Sequence, residues 1–124
     1  MRQGATLVAA LLIAAVAASA PDARLAVVNP TRIQVVAKEF FYSLSRHTVG
    51  AGPAIVELVN FGQDPHDMRL QRLGGTRVYG TPIVQPGAYY DLSVKLVPGT
   101  YELWCSIANH RALGMDVRLV VRAG

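Results

Sequence analysis

The chain has 124 residues, of which 52% are hydrophobic and only 16% charged, with a formal net charge of +4. That balance excludes a disordered polyelectrolyte and suits a single domain. One cysteine excludes a disulfide framework and any multi-cysteine zinc finger, and three histidines exclude a polyhistidine metal cluster. The basic residues are scattered singly or in loose pairs with no interleaved aromatics, so no nucleic-acid interface is expected. The mild positive charge suits either solvated strand faces or docking to a mildly acidic partner.

Residues 1–20 have the form of a secretory signal. Arg2 supplies a positive charge, Leu7 to Ala18 is an unbroken apolar run, and Ala18-Ser19-Ala20 offers the small residues a signal peptidase requires. The run is shorter than the roughly twenty residues a membrane span needs. Export to the periplasm or extracellular space is therefore expected, with retention of the segment as an N-terminal anchor as the alternative. No cysteine lies near the cut, which excludes a lipoprotein. Residues 21–31 form a short lead-in, and residues 32–124 form the domain.

Along that domain the hydrophobic pattern has period two. Phe40, Tyr42 and Leu44 alternate, as do Val56 and Leu58. Met68 and Leu70 oppose Asp67, Arg69 and Gln71, while Tyr90, Leu92, Val94 and Leu96 oppose Asp91, Ser93 and Lys95. Val117, Leu119 and Val121 oppose Asp116, Arg118 and Arg122. Such alternation builds sheets with one dry and one wet face. Turn signals fall between the runs, at Gly50–Pro53, Gly74-Gly75, Gln85–Gly87 and Val97–Gly99. The spacing predicts strands over residues 32–37, 39–45, 53–60, 66–72, 77–79, 87–96, 100–105 and 116–122. About seven or eight short strands in one domain indicate an all-β, two-sheet β-sandwich. A short helix within 105–115 is compatible with the pattern but not required by it.

The chemistry concentrates in one segment. A lone cysteine in an exported protein cannot pair within its chain, and an exposed thiolate would be oxidised. Cys105 opens the pattern C-x4-H-x4-M, which continues through His110 to Met115 across the connection between two predicted strands. A loop of that length can fold back so that the three side chains converge. His66 begins the predicted strand that carries Met68 and Leu70. Two imidazoles, a thiolate and a thioether form a soft donor set. Thiolate and thioether favour copper(I), imidazole tolerates both copper oxidation states, and His2Cys with a weak axial methionine is the blue-copper arrangement. Zinc would accept the first three donors but gains little from a methionine. His47 lies in a polar turn with no metal-ligand neighbour and is read as structural. Met68 is a rival axial donor, more readily placed in the core. Trp104 and Tyr101 are read as packing residues.

These residues resemble the cupredoxins, the small type 1 blue copper proteins, over residues 32–122. Asn60-Phe61-Gly62-Gln63-Asp64-Pro65-His66 is similar to the N-x-G-x-x-x-H element that carries the first histidine ligand of that family, and Pro98-Gly99-Thr100-Tyr101 to the turn leading to its cysteine. The resemblance implies a Greek-key β-sandwich that binds one copper ion, with His66, Cys105 and His110 as strong ligands and Met115 as the axial one. It also implies a non-enzymatic one-electron carrier cycling copper(II) and copper(I) and docking with redox partner proteins, and nothing in the sequence hints at more than a monomer. A docking patch at Ala112, Leu113 and Gly114 would follow, with Arg111 adding charge. The Cys-to-His interval matches azurin and the His-to-Met interval plastocyanin, so the ligand loop is a hybrid. Asp67, directly after the first histidine, is placed to hydrogen-bond the ligand loop. A copper chaperone or sequestration protein on the same fold is the alternative function, and a metal-free binding sandwich the third.

Overall fold

In the computed structural model, residues 4–19 and 29–124 are described. The expected signal cut and most of the lead-in fall among residues 20–28, outside the described residues. Residues 4–19 carry no helix or strand. Among the described residues, no helix is long and apolar enough to cross a membrane.

Nine strands and one helical turn follow among the described residues. They are β1 (Thr31–Lys38), β2 (Phe41–Leu44), β3 (Thr48–Gly50), β4 (Gly52–Asn60), β5 (Arg69–Arg72), β6 (Val78–Gly80), β7 (Tyr89–Leu96), β8 (Gly99–Trp104), α1 (His110–Leu113) and β9 (Asp116–Arg122). One sheet has the order β2-β1-β4-β7 and the other β3-β9-β8-β5-β6. The pairs β1/β4 and β3/β9 are parallel and the rest antiparallel. After β2 the chain crosses to the second sheet, places β3 beside β9, and returns as β4 next to β1.

Alternation explains the core. Ile33, Val35 and Ala37 of β1 are fully buried, while Arg32, Gln34 and Lys38 face solvent. Val56 and Leu58 of β4, Leu96 of β7, Leu70 of β5, Leu103 of β8 and Leu119 of β9 meet them between the sheets. Each such side chain contributes about 1.5–3 kcal/mol by leaving water. Hydrophobic pattern and observed burial agree, and the fold is the predicted two-sheet sandwich.

Four local differences separate the observed strands from the predicted ones. Residues 39 and 40 form a two-residue turn between β1 and β2, rather than the start of the predicted strand 39–45. β3 is an addition to the predicted strands, three residues long with one buried side chain, Val49. The strand predicted from residue 66 begins at Arg69. His66 is held instead by an isolated bridge to Val84, with His66 N–H donating to Val84 O at 3.1 Å and Val84 N–H to His66 O at 2.7 Å. Tyr90 shares the phase of Leu92 but lies at the strand's open end, where it is exposed.

Candidate metal centre

The loop from β4 to β5 is organised from within by Asn60, which is fully buried. Its Nδ2 donates to Asp64 O at 2.8 Å and Val84 O at 2.9 Å, and its Oδ1 accepts from Gly62 N–H at 2.9 Å. A buried amide that lost these partners would be costly, so the side chain holds the loop in one shape. The spacing from Asn60 to His66 thus has a mechanical meaning: the asparagine shapes the loop that delivers the histidine.

His66 is fully buried. Its Nε2 lies 3.2 Å from Glu39 Oε1, on the β1–β2 turn. The same oxygen accepts from Gln63 N–H at 2.6 Å and Asp64 N–H at 2.7 Å. The Asp64 N–H, followed by the Gln63 N–H and the His66 ring, holds the Glu39 carboxyl down to about 2, against burial, which raises it. His66 Nδ1 is the buried side-chain polar atom left without a hydrogen-bond partner among the described residues.

Cys105 follows β8, and its N–H donates to Met115 O at 3.1 Å, closing the ligand loop at its base. Met115 N–H in turn donates to His110 O at 3.1 Å. Between them α1 forms a single turn that brings His110 back over the thiol, with Cys105 Sγ and His110 Nδ1 3.6 Å apart. Gly114 ends that turn at φ 135°, a left-handed conformation suited to glycine, and a Cβ there would stand 2.7 Å from Phe40 O. The ring of Phe40 lies against both histidines, at 4.7 Å from His110 and 6.4 Å from His66 between centroids.

Asp67 occupies the predicted bracing position. Its Oδ1 accepts from Ser106 N–H at 2.7 Å and its Oδ2 from Ser106 Oγ–H at 2.5 Å, while Arg69 Nη2 lies 3.3 Å away. The two loops are thereby joined one residue beyond His66 and Cys105. Tyr42 O–H donates to Asp67 O. Burial, followed by the nearby Cys105 thiol, pushes the Tyr42 phenol above its ordinary value. Burial also pushes the Cys105 thiol up, opposed by hydrogen bonding from the backbones of Asp67 and Ile107.

The donor atoms of His66, Cys105 and His110 all lie within 4.8 Å of one another. Two imidazoles and a thiol at that spacing, with one buried imidazole nitrogen lacking a partner among the described residues, fit a single metal ion. Met115 is fully buried at the end of the same loop. Met68 is also fully buried, on the chain that runs from His66 into β5. His47 is exposed and outside the cluster, and its carbonyl accepts from Val120 N–H at 2.8 Å beside β9. Tyr101 is buried, with its hydroxyl accepting from Val97 N–H at 3.1 Å. Arg111 is exposed on the loop and held in place by its neighbours. It bonds Glu102 at 2.6 Å and Asp116 at 3.1 Å, and its guanidinium stacks on Trp104 at 4.6 Å. Both carboxylates raise its already high pKa, Glu102 more than Asp116.

Glu39 and Phe40 reach the site without any signal in the sequence. Their apolar-polar alternation merges into the following strand, and nothing local marks a turn that meets the histidines.

No protein-family model and no curated protein sequence matches the chain. Solved structures do match its fold. A dithionite-reduced auracyanin from Roseiflexus castenholzii is 20% identical with a TM-score of 0.65, covering 74% of this chain and 97% of its own. Auracyanin A from Chloroflexus aurantiacus, a "blue" copper protein, is 15% identical with a TM-score of 0.61, covering 76% and 100%. A proline-to-glycine variant of amicyanin in its reduced Cu(I) form is 22% identical with a TM-score of 0.57, covering 78% and 88%. The chain has the cupredoxin fold, and at the end of that fold it carries a His-Cys-His cluster able to hold one metal ion.

Proposed function

We propose that this protein is an exported blue copper protein that carries single electrons. The observation that carries the reading is the convergence of His66, Cys105 and His110, with His66 Nδ1 the buried nitrogen left unpartnered. The donor set favours copper, as do the auracyanin and amicyanin structures that share the fold. When bound, copper supplies a one-electron Cu(II)/Cu(I) couple.

The chain's own residues supply the rest. His66, Cys105 and His110 would hold the ion, with Met115 as a further, weak thioether donor. Asp67 ties the His66 and Cys105 loops together and Asn60 fixes the shape of the first, so the ligands need not move when the charge changes. Burial of His66 and Cys105 excludes water from the inner side. No substrate is turned over; the partners are redox proteins that approach the end of the sandwich carrying α1. The Leu7–Ala18 run directs export.

Addition of one equivalent of copper(II) to the protein tests this reading. Intense thiolate-to-copper absorption and a narrow copper hyperfine splitting are expected, both lost in Cys105→Ser. A colourless protein with an ordinary copper(II) spectrum would overturn it.

A further inference from the structure

We infer that Glu39 is the positioning residue of this centre: its carboxylate sets the His66 ring in the Nε2–H tautomer and so presents Nδ1, unprotonated, to the metal. The tautomer assignment stands on geometry alone, whereas its consequence for the metal rests on the proposed copper reading.

Three donors converge on one carboxylate oxygen. Gln63 N–H, Asp64 N–H and His66 Nε2 lie 2.6, 2.7 and 3.2 Å from Glu39 Oε1. An ionised carboxylate accepts hydrogen bonds and cannot donate them, so the proton on a neutral His66 ring must sit on Nε2. Nδ1 then keeps its lone pair, and that atom is the one left buried without a partner among the described residues. A carboxylate behind a ligating imidazole fixes the ring's orientation and raises its basicity.

The reach of Glu39 depends on Gly62. A Cβ built on Gly62 would collide with the Glu39 carboxylate, contacting Oε1 and lying 2.8 Å from both Cδ and Oε2. The three atoms nearest to that position all belong to Glu39. Glycine is needed here because the carboxylate occupies the space of a side chain. The Asn60–His66 spacing therefore contains a second device: Asn60 shapes the loop, and Gly62 leaves a seat in it for a residue from a different turn.

The experiment combines the ring 15N spectrum of the metal-free protein with copper(II) titration, in wild type, Glu39→Ala, Glu39→Gln and Gly62→Ala. Wild-type His66 should show a protonated Nε2 and an unprotonated Nδ1. Glu39→Ala and Gly62→Ala should each mix the two tautomers and weaken copper(II) binding by about 10–100-fold. Glu39→Gln retains a carbonyl acceptor and should recover the tautomer with most of the affinity. Combining Glu39→Ala with Gly62→Ala should cost no more than Glu39→Ala alone, because both changes remove the same contact.

An unchanged His66 tautomer and affinity in folded Glu39→Ala would overturn the inference while leaving the copper reading intact. A Glu39-dependent tautomer in a wild-type protein that forms no blue copper site would support the inference and refute the electron-carrier reading. Gly62→Ala separates the same two outcomes if Glu39→Ala does not fold, since it moves the carboxylate without deleting it.

Discussion

The two walls of the candidate metal centre are built differently. His66 is fully buried and is held from three directions: by the Val84 bridge through its backbone, by Glu39 through its ring, and by the Asn60-braced loop behind it. His110 sits on one helical turn, is 8% exposed, and is positioned by contacts with Phe40 and Cys105. The inner wall is part of the sandwich core, and the outer wall is a loop laid over it. In the proposed electron carrier, this division would keep the ligand geometry fixed while one imidazole lies near the surface.

The strongest way to break the comparison is to delete each ring. Both His66→Gly and His110→Gly should lose the blue copper spectrum. Added imidazole should restore it in His110→Gly, where the hole opens near solvent, and not in His66→Gly, where the cavity is sealed. Equal rescue of both, followed by visible absorption, would show that the two walls are alike.

Next in size is the brace of the inner wall. Asn60→Ala removes the side-chain partner of Asp64 O and Gly62 N–H and one of the two donors to Val84 O, and should destabilise the protein by about 1–3 kcal/mol, read from denaturant unfolding. A loss near zero would mean that the loop keeps its shape without the amide.

The joint between the walls should respond more gently. Asp67→Asn keeps an acceptor for Ser106 N–H but removes a negative charge one residue from His66. An anion near the thiolate favours copper(II), so the substitution should raise the measured reduction potential. An unchanged potential would remove Asp67 from the electrostatics of the site.

The smallest expected effect is on pH dependence. Glu39 has its folded-state pKa lowered from 4.5 to about 2, so its contribution to stability is present above 4.5 and is lost as pH falls toward 2. In metal-free protein, the difference in melting temperature between wild type and Glu39→Gln should be constant above about pH 5 and shrink on acidification. A difference that did not change with pH would mean that the Glu39 hydrogen bonds do not depend on its charge.

The same division decides how much can be read in the sequence. His110 is legible because it follows Cys105 in one short segment, and His66 because Asn60 and Gly62 precede it at telling intervals. Asp67 is legible as the neighbour of a ligand. The core is legible from alternation, since Ile33, Val35 and Ala37 need only a pleated strand to be buried together. Glu39 and Phe40 are not legible, because Glu39 acts across 27 residues from a turn whose local pattern continues that of β2. The clamp on Arg111 is hidden for a related reason. Glu102 and Asp116 become its neighbours only when β8 and β9 pair, and an isolated loop sequence shows a free charge there. Local spacing reveals ligands that share a loop, whereas residues that aim those ligands arrive from elsewhere in the fold.

A reversible redox titration of the copper-loaded protein, followed by its visible absorption, tests the central claim most directly. A single one-electron transition, with all copper retained through repeated reduction and reoxidation, is predicted. Release of copper on reduction to a competing chelator, without recovery of the spectrum, would contradict an electron carrier and make the protein one that delivers or stores its metal.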